Sequence, residues 1–303
     1  MGDLSGSVRT ASAPGRVNLL GEQVDHQGGT ALPVAIHMRT TVEYTPGDAW
    51  EISSEGHEPG GSWTRHVQGV IDLLAEEGLS PSPGKLAIRS TIPERNGLGS
   101  SAALQVAVAG ALSDLPPFEL AQLCQRAENK TVGVPCGLMD QATSACAIQG
   151  NVMVLDCGAP SFFHLPLPPC ELYLFPSGIE RSLADTPYAD RLEEARDPGT
   201  SAARHVASEA LRVEDGVRLL EAGDVAGFGQ LMYASHASLR DDYRCSLPEI
   251  DHIVEGLASV PGVLGARLVG AGWGGGVLVL VEAGEQLDGG VRLLTDDGLY
   301  RLE

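Results

Sequence analysis

The stretch that most constrains this chain lies between Thr91 and Leu112, TIPERNGLGSSAALQVAVAGAL. A glycine-containing turn opens there onto a small-residue, mostly apolar helix expected over Ser101–Leu112, with Ser100 and Ser101 at its first turn. Unpaired N–H groups at a helix start, with the positive end of the helix dipole, make an anion site. Hydroxyls in that position can ligate Mg²⁺ or a phosphate oxygen. The same string also reads as an ordinary capped helix. It is neither the GxxxxGK[ST] of a Walker A loop nor the GxGxxG of a dinucleotide fold.

Around this turn, strand-like and helix-like runs alternate along the chain. Thr40–Tyr44, Lys85–Ser90, Asn151–Asp156 and Glu171–Phe175 read as strands, and Glu119–Lys130 as an amphipathic helix. Cys157–Pro169 is rich in proline and loop formers, which predicts a break there and two domains, 1–165 and 166–303. Beyond it, helices are expected at Ala202–Glu221, Val225–Leu239 and Leu247–Val260. Strands at Gly265–Val269 and Val277–Val281 then flank a glycine-rich turn, Gly270–Gly276. The expected fold class is α+β, with a ferredoxin-like layer in the second half.

Composition narrows the function classes. Of 303 residues, 43% are hydrophobic, enough for a sizeable core, and no apolar run reaches the roughly 18 residues of a membrane span. The opening MGDLSGSVRTASAPGR lacks the order of a secretory signal, so a cytoplasmic protein with no membrane partner is expected. Forty acidic against 20 basic residues give −20, a field that repels nucleic acid. A nucleotide then needs local help from Mg²⁺, backbone N–H groups and arginines, since Lys85 and Lys130 are the lysines. The six cysteines form no CxxC pair, which predicts reduced core residues rather than a zinc site or a disulfide framework.

Three further segments carry polar chemistry, each with a plainer alternative. In Ala13–Ile36, APGRVNLLGEQVDHQGGTALPVAI, glycines can turn Arg16, Glu22, Gln23 and Asp25 toward a polyhydroxylated ligand, or the segment is a polar hairpin. In ENKTVGVPCGLMDQ, Glu128 closes a helix and Asp140 follows a loop holding Gly133, Pro135 and Gly137. One carboxylate can hold a metal while the other meets an attacking hydroxyl, or both are solvated acids. In RLVGAGWGGGVL, five glycines around Trp273 can approach a phosphate or another backbone, or form a flexible tip.

Taken in order, GRVNLLGE-x-x-D-x-x-GG, GLGSSAA, CGLMDQ and GAGWGGG resemble the GHMP kinase superfamily and, within it, the galactokinase branch. RSLADTPYADR, SHASLRDDY and CSLPEID are further matches, and the likeness runs from about residue 10 to 282. It implies a ribosomal-protein-S5-like N-terminal domain, a ferredoxin-like C-terminal domain, and an ATP-dependent sugar 1-kinase using Mg²⁺. Asp140 matches the catalytic aspartate and Arg16 its arginine partner. Glu22, Gln23, Asp25, Gly137 and Tyr188 match sugar positions. Gly97, Leu98, Gly99, Ser100 and Ser101 match the phosphate turn, and Ser100, Ser101 and Glu128 the metal ligands. Trp63 matches an adenine-pocket aromatic, with Leu32 and Pro33 nearby. The implied partners are a small sugar and ATP, in a monomer or weak homodimer.

The chain departs from that pattern in places. Gln23 stands where the family has His, and His26-Gln27 where it has Tyr-Asn. DHQGG is similar to galacturonate kinases, but those lack the glutamate kept here as Glu22. Arg95 replaces a frequent glycine and reads either as a phosphate clamp or as a solvent-facing group. His236 reads as a structural histidine. Arg191–Arg204 is compressed, and GLYRLE is expected to stop before the family's final strand, loosening the seam between domains. Galactose is the expected substrate; the alternatives are a uronic acid, another anomeric sugar, or a silent sugar and ATP sensor.

Overall fold

A computed structural model describes residues 7–58, 60–93, 96–132, 136–179 and 186–302. The first half is built on β1 (Arg9–Asn18), β2 (Thr30–Ala31), β3 (Pro33–Pro46), β4 (Glu51–Ser54) and β5 (Gly84–Ser90), with α1 (Thr64–Glu76), α2 (Ser100–Leu112), α3 (Pro117–Val132) and α4 (Met139–Cys146). A hairpin follows, β6 (Asn151–Asp156) and β7 (Ser161–Pro166). The second half comprises β8 (Cys170–Pro176), α5 (Tyr188–Glu194), α6 (Ser201–Ala222), α7 (Val225–Ser238), α8 (Pro248–Leu257), β9 (Val263–Val269), β10 (Gly276–Glu282), β11 (Val291–Leu293) and β12 (Tyr300–Leu302).

These strands make three sheets, in the orders β12-β1-β3-β5-β4, β11-β8-β10-β9 and β2-β6-β7. Every residue of α2 from Ala102 to Leu112 is buried, which is why its side chains are mostly small and apolar, Gln105 being the polar exception. At Gly110 a Cβ would meet Leu299 Cδ1 at 2.8 Å and Ala11 Cβ at 3.2 Å, so the helix lies flush against its neighbours.

A second apolar cluster joins the halves. Val17, Leu20, Leu32 and Ile36 of the first pack with Leu174, Phe228, Met232 and Leu278 of the second. The end of the chain adds to this closure. His37 N donates to Leu294 O at 2.9 Å, Asp296 N to Ala35 O at 3.0 Å, and β12 pairs with β1, Thr10 opposite Leu302. Within GLYRLE, Tyr300–Leu302 is itself an edge strand of the first sheet, so this end of the sequence ties down β1. Cys157–Pro169 is likewise not all loop, because β7 pairs with β6 along its length. Among the described residues, no helix is long and apolar enough to cross a membrane.

Candidate active site

The site grows from a bulge in β1. Pairing with β3 shifts register between Pro14 and Arg16, and a Cβ on Gly15 would come within 2.8 Å of Leu98 O. The bulge turns the strand so that Arg16 N donates to Leu98 O at 2.9 Å. Arg16 is thereby pinned to the turn that begins α2, and its guanidinium also donates to Gly97 O. The remaining donors form a fork: Nε to Asp140 Oδ1 and a terminal nitrogen to Asp140 Oδ2, each 2.7 Å. Asp140 is the second residue of α4.

The turn itself needs glycine. Gly97 and Gly99 have φ of 73° and 71°, and a Cβ on Gly99 would press on Arg16 Cγ at 3.2 Å. Gly97 backs onto the glycine-rich loop of the second half: a Cβ there would meet Val269 O at 2.7 Å, and one on Gly270 would meet Gly97 Cα at 2.8 Å. Gly99 caps α2, whose first bonded N–H, that of Ala103, donates to Gly99 O. The amides of Ser100, Ser101 and Ala102 precede it and have no carbonyl a turn earlier in the helix. Arg16 joins this helix start to Asp140.

Glu128, on α3, faces the same corner. Ser101 Oγ donates to Glu128 Oε1 at 3.1 Å, Gln141 Nε2 donates to Oε2, and Cys136 Sγ lies 3.7 Å from Oε2. All three partners are neutral. Loss of surrounding water, followed by the charge of Asp140, raises the Glu128 carboxyl to about 7. A carboxylate so placed, with a hydroxyl beside it, is an oxygen donor set suited to a hard divalent cation.

On the other side of Asp140 lie the residues matched to the sugar. Asp25 sits directly over Gly137, where a Cβ would fall 1.8 Å from Asp25 Oδ2; only glycine fits. Burial pushes the Asp25 carboxyl up, but His26, 3.3 Å away, and Arg16 outweigh it and hold it low. Tyr188 opens α5, and its phenol is pushed up by burial and then by the charge of Asp25, with Asp140 a smaller contributor. Gln23, at φ 64°, donates from Nε2 to Ala271 O at 3.0 Å, so it clasps the glycine-rich loop. Asp25, His26, Gln122, Arg126, Cys136 and Gly137 line part of a pocket of about 530 Å³.

Glu22 is buried and paired with Arg267 of β9. Burial raises its carboxyl to about 7, although Arg267 and Arg16 pull the other way. The partners that hold residues 21 and 22, Arg267, Glu209 and His205, were not among the residues singled out from the sequence. A signal for two of them existed: the buried face of α6 runs Ala202, His205, Glu209, Val213, Gly216, Leu220, which puts two polar groups on core positions.

Trp63 is not drawn into this cluster. It precedes α1, half-buried, with Nε1 3.4 Å from Glu58 O and its ring 6.0 Å from that of His57. Leu32 and Pro33 are core residues, Leu32 within the seam between the halves. His236 is a joint, accepting from Leu268 N at 3.3 Å and lying 3.2 Å from Asp251. Arg95, Gly133 and Pro135 lie outside the described residues.

The chain is also similar to known proteins in sequence and fold. The family models for the GHMP kinases N terminal domain and C terminal match residues 65–148 and 217–288, and the galactokinase galactose-binding signature matches residues 4–46. The galactokinase of Roseiflexus sp. is 37% identical over 89% of this chain and 82% of its own. The human galactokinase is 36% identical over 90% and 83%. A crystal structure of Lactococcus lactis galactokinase complexed with galactose superposes with a TM-score of 0.90, covering 98% of this chain and 96% of its own at 27% identity. The Methanococcus jannaschii mevalonate kinase, at 22% identity and a TM-score of 0.72, shares the fold. With its own motifs gathered at one corner and relatives matched over nine-tenths of its length, the chain belongs to the galactokinase branch of the GHMP kinases.

Proposed function

We propose that the protein transfers the γ-phosphoryl group of ATP to the anomeric hydroxyl of galactose, giving galactose 1-phosphate and ADP by direct in-line displacement. The observation that carries this reading is the Arg16–Asp140 fork fastened to the Gly97–Leu98 turn. It sets a carboxylate for the acceptor hydroxyl beside a helix start suited to phosphate. Each Asp140 oxygen accepts one bond from Arg16 and keeps lone-pair capacity for the sugar. Asp140 orients the hydroxyl and takes its proton as the new P–O bond forms. Phosphoryl transfer asks little more of a protein than positioning and charge stabilisation. The amides at the start of α2 and Arg16 supply part of the second.

The residues present also fit Mg²⁺. Glu128, raised toward 7 with neutral partners, and the hydroxyls of Ser101 and Ser100 would hold it. When bound, it neutralises phosphate charge that this acidic chain otherwise repels. Asp25, Gly137, Glu22 and Tyr188 would bind the sugar.

Galactose is favoured over its uronic acid because Glu22 stands there as a carboxylate whose arginine is already engaged. A uronate would add a second anion to that corner. The test is steady-state assay with Mg-ATP and a panel of galactose, galacturonate, glucose and arabinose, with phosphorylation position read by NMR. Galactose turnover that collapses in Asp140→Asn is expected. Turnover of galacturonate alone would overturn the substrate, and binding without turnover of any sugar would overturn the activity.

A further inference from the structure

Glu22 belongs to the first half of the chain, but what fixes it belongs to the second. Three contacts hold residues 21 and 22. Gly21 N donates to Glu209 Oε1 at 2.9 Å, Glu22 O lies 3.1 Å from His205 Nε2, and Glu22 Oε2 accepts from Arg267. Because a carbonyl can only accept, His205 carries its hydrogen on Nε2, and Nδ1 accepts from Ser238 Oγ at 2.9 Å. Arg267 is fully buried and otherwise satisfied: Nε donates to Leu268 O at 3.0 Å and a terminal nitrogen to Ser235 Oγ at 3.3 Å. Glu209 is also fully buried, and closes the circuit by accepting from Ser235 Oγ at 2.8 Å and Arg212 Nε at 2.6 Å.

Apolar residues of similar volume would pack this seam at least as cheaply, since buried ion pairs lose hydration that their attraction barely offsets. Packing alone therefore does not account for the network. What it delivers is a fixed direction for one carboxylate and for the backbone that carries it. We propose that Arg267 and Glu209 are positioning residues for sugar recognition: from α6 and β9 they orient Glu22 toward the substrate. This rests on the assignment of Glu22 to the sugar, made above.

The test is steady-state kinetics of Arg267→Lys, Glu22→Gln and the double variant, each first shown to fold by circular dichroism. A lysine keeps the charge but cannot fork between Glu22, Ser235 and the Leu268 carbonyl. Arg267→Lys is expected to raise KM for galactose about tenfold, as misplacement of a binding group does, with KM for ATP unmoved. It should also move the acid limb of kcat/KM for galactose to higher pH. The groups facing Glu22 are Arg267, Arg16, Asp140, Asp25, Glu209 and His205, and only the first changes. In the double variant, Arg267→Lys should add little to Glu22→Gln. A folded Arg267→Lys with unchanged KM for galactose, or with both KM values rising together and the acid limb in place, would overturn the proposal. If Glu22→Gln leaves KM for galactose unchanged, the assignment of Glu22 itself fails and the proposal with it. Should Arg267→Lys not fold, Ser235→Ala keeps every charge and should show the same KM split at about threefold; a folded Ser235→Ala without it would also overturn the proposal.

Discussion

Glu22 and Glu128 flank the same aspartate and are both raised to about 7, yet they are answered in opposite ways. Glu22 is closed off by a fixed arginine, and a helix and a strand from the other half of the chain hold its backbone and carboxylate in one direction. Glu128 is met by a hydroxyl, an amide and a thiol, so nothing in its hydrogen-bond shell balances its charge. On the function proposed above, the first would serve recognition, held in place before any ligand arrives. The second would hold a cation that comes and goes with the nucleotide. Two carboxylates with similar protonation can thus do different work, and whether the neighbouring group carries a positive charge decides which.

The comparison is sharpest at the group between them. Asp140→Asn keeps shape but loses the proton acceptor, and should lower kcat by about 10²–10⁴-fold with both KM values close to wild type. Stopped turnover with intact binding of both substrates is the reading to look for in calorimetry. Next in size is Gly137→Ala on the sugar side. The new methyl would displace Asp25 by more than an ångström, and KM for galactose should rise on the order of 10²-fold while KM for ATP holds.

On the other side, Glu128→Gln should cost about 10–100-fold in kcat and raise the Mg²⁺ concentration needed for half activity. If the Mg²⁺ requirement does not change, the contrast between the two glutamates is lost. A pH effect follows with defined sign. Between the ordinary carboxyl value of 4.5 and about 7, the folded protein keeps the Glu128 proton that the unfolded chain releases. The contribution of Glu128 to stability therefore falls as pH rises through that window and is flat above it. Binding of Mg-ATP at pH 6.5 should release a proton, measurable by calorimetry in buffers of different ionisation enthalpy, and Glu128→Gln should remove that release. The smallest effect is expected at Trp63, half-buried and outside the cluster: Trp63→Phe should leave galactose kinetics unchanged and KM for ATP within about threefold.

Much of the fold was legible because the signals were local. The apolar helix from Ser100 to Leu112 and the strands around 40–44, 85–90 and 265–281 follow from periodicity and glycine placement. Of the elements not read from the sequence, α1 is a 13-residue helix whose buried Val67, Val70, Ile71 and Leu74 offered a local signal, while others were short or depended on partners. Glu51–Ser54 is a strand because β5 offers it an edge, and Tyr300–Leu302 because β1 does. Residues 161–166, in a stretch rich in proline, pair because β6 lies alongside.

The site divides in the same way. The sequence by itself determined the chemical inventory: the arginine, the acids at 22, 25, 128 and 140, the serines at a helix start, and glycines where a Cβ would clash. Residue type and short spacing carry that information. Only the tertiary structure decided which acid meets which cation. Arg16 reaches Asp140 across 124 positions, and Arg267 reaches Glu22 across 245. Pairing over such separations is set by how the sheets pack against each other, and no local pattern in the chain encodes it.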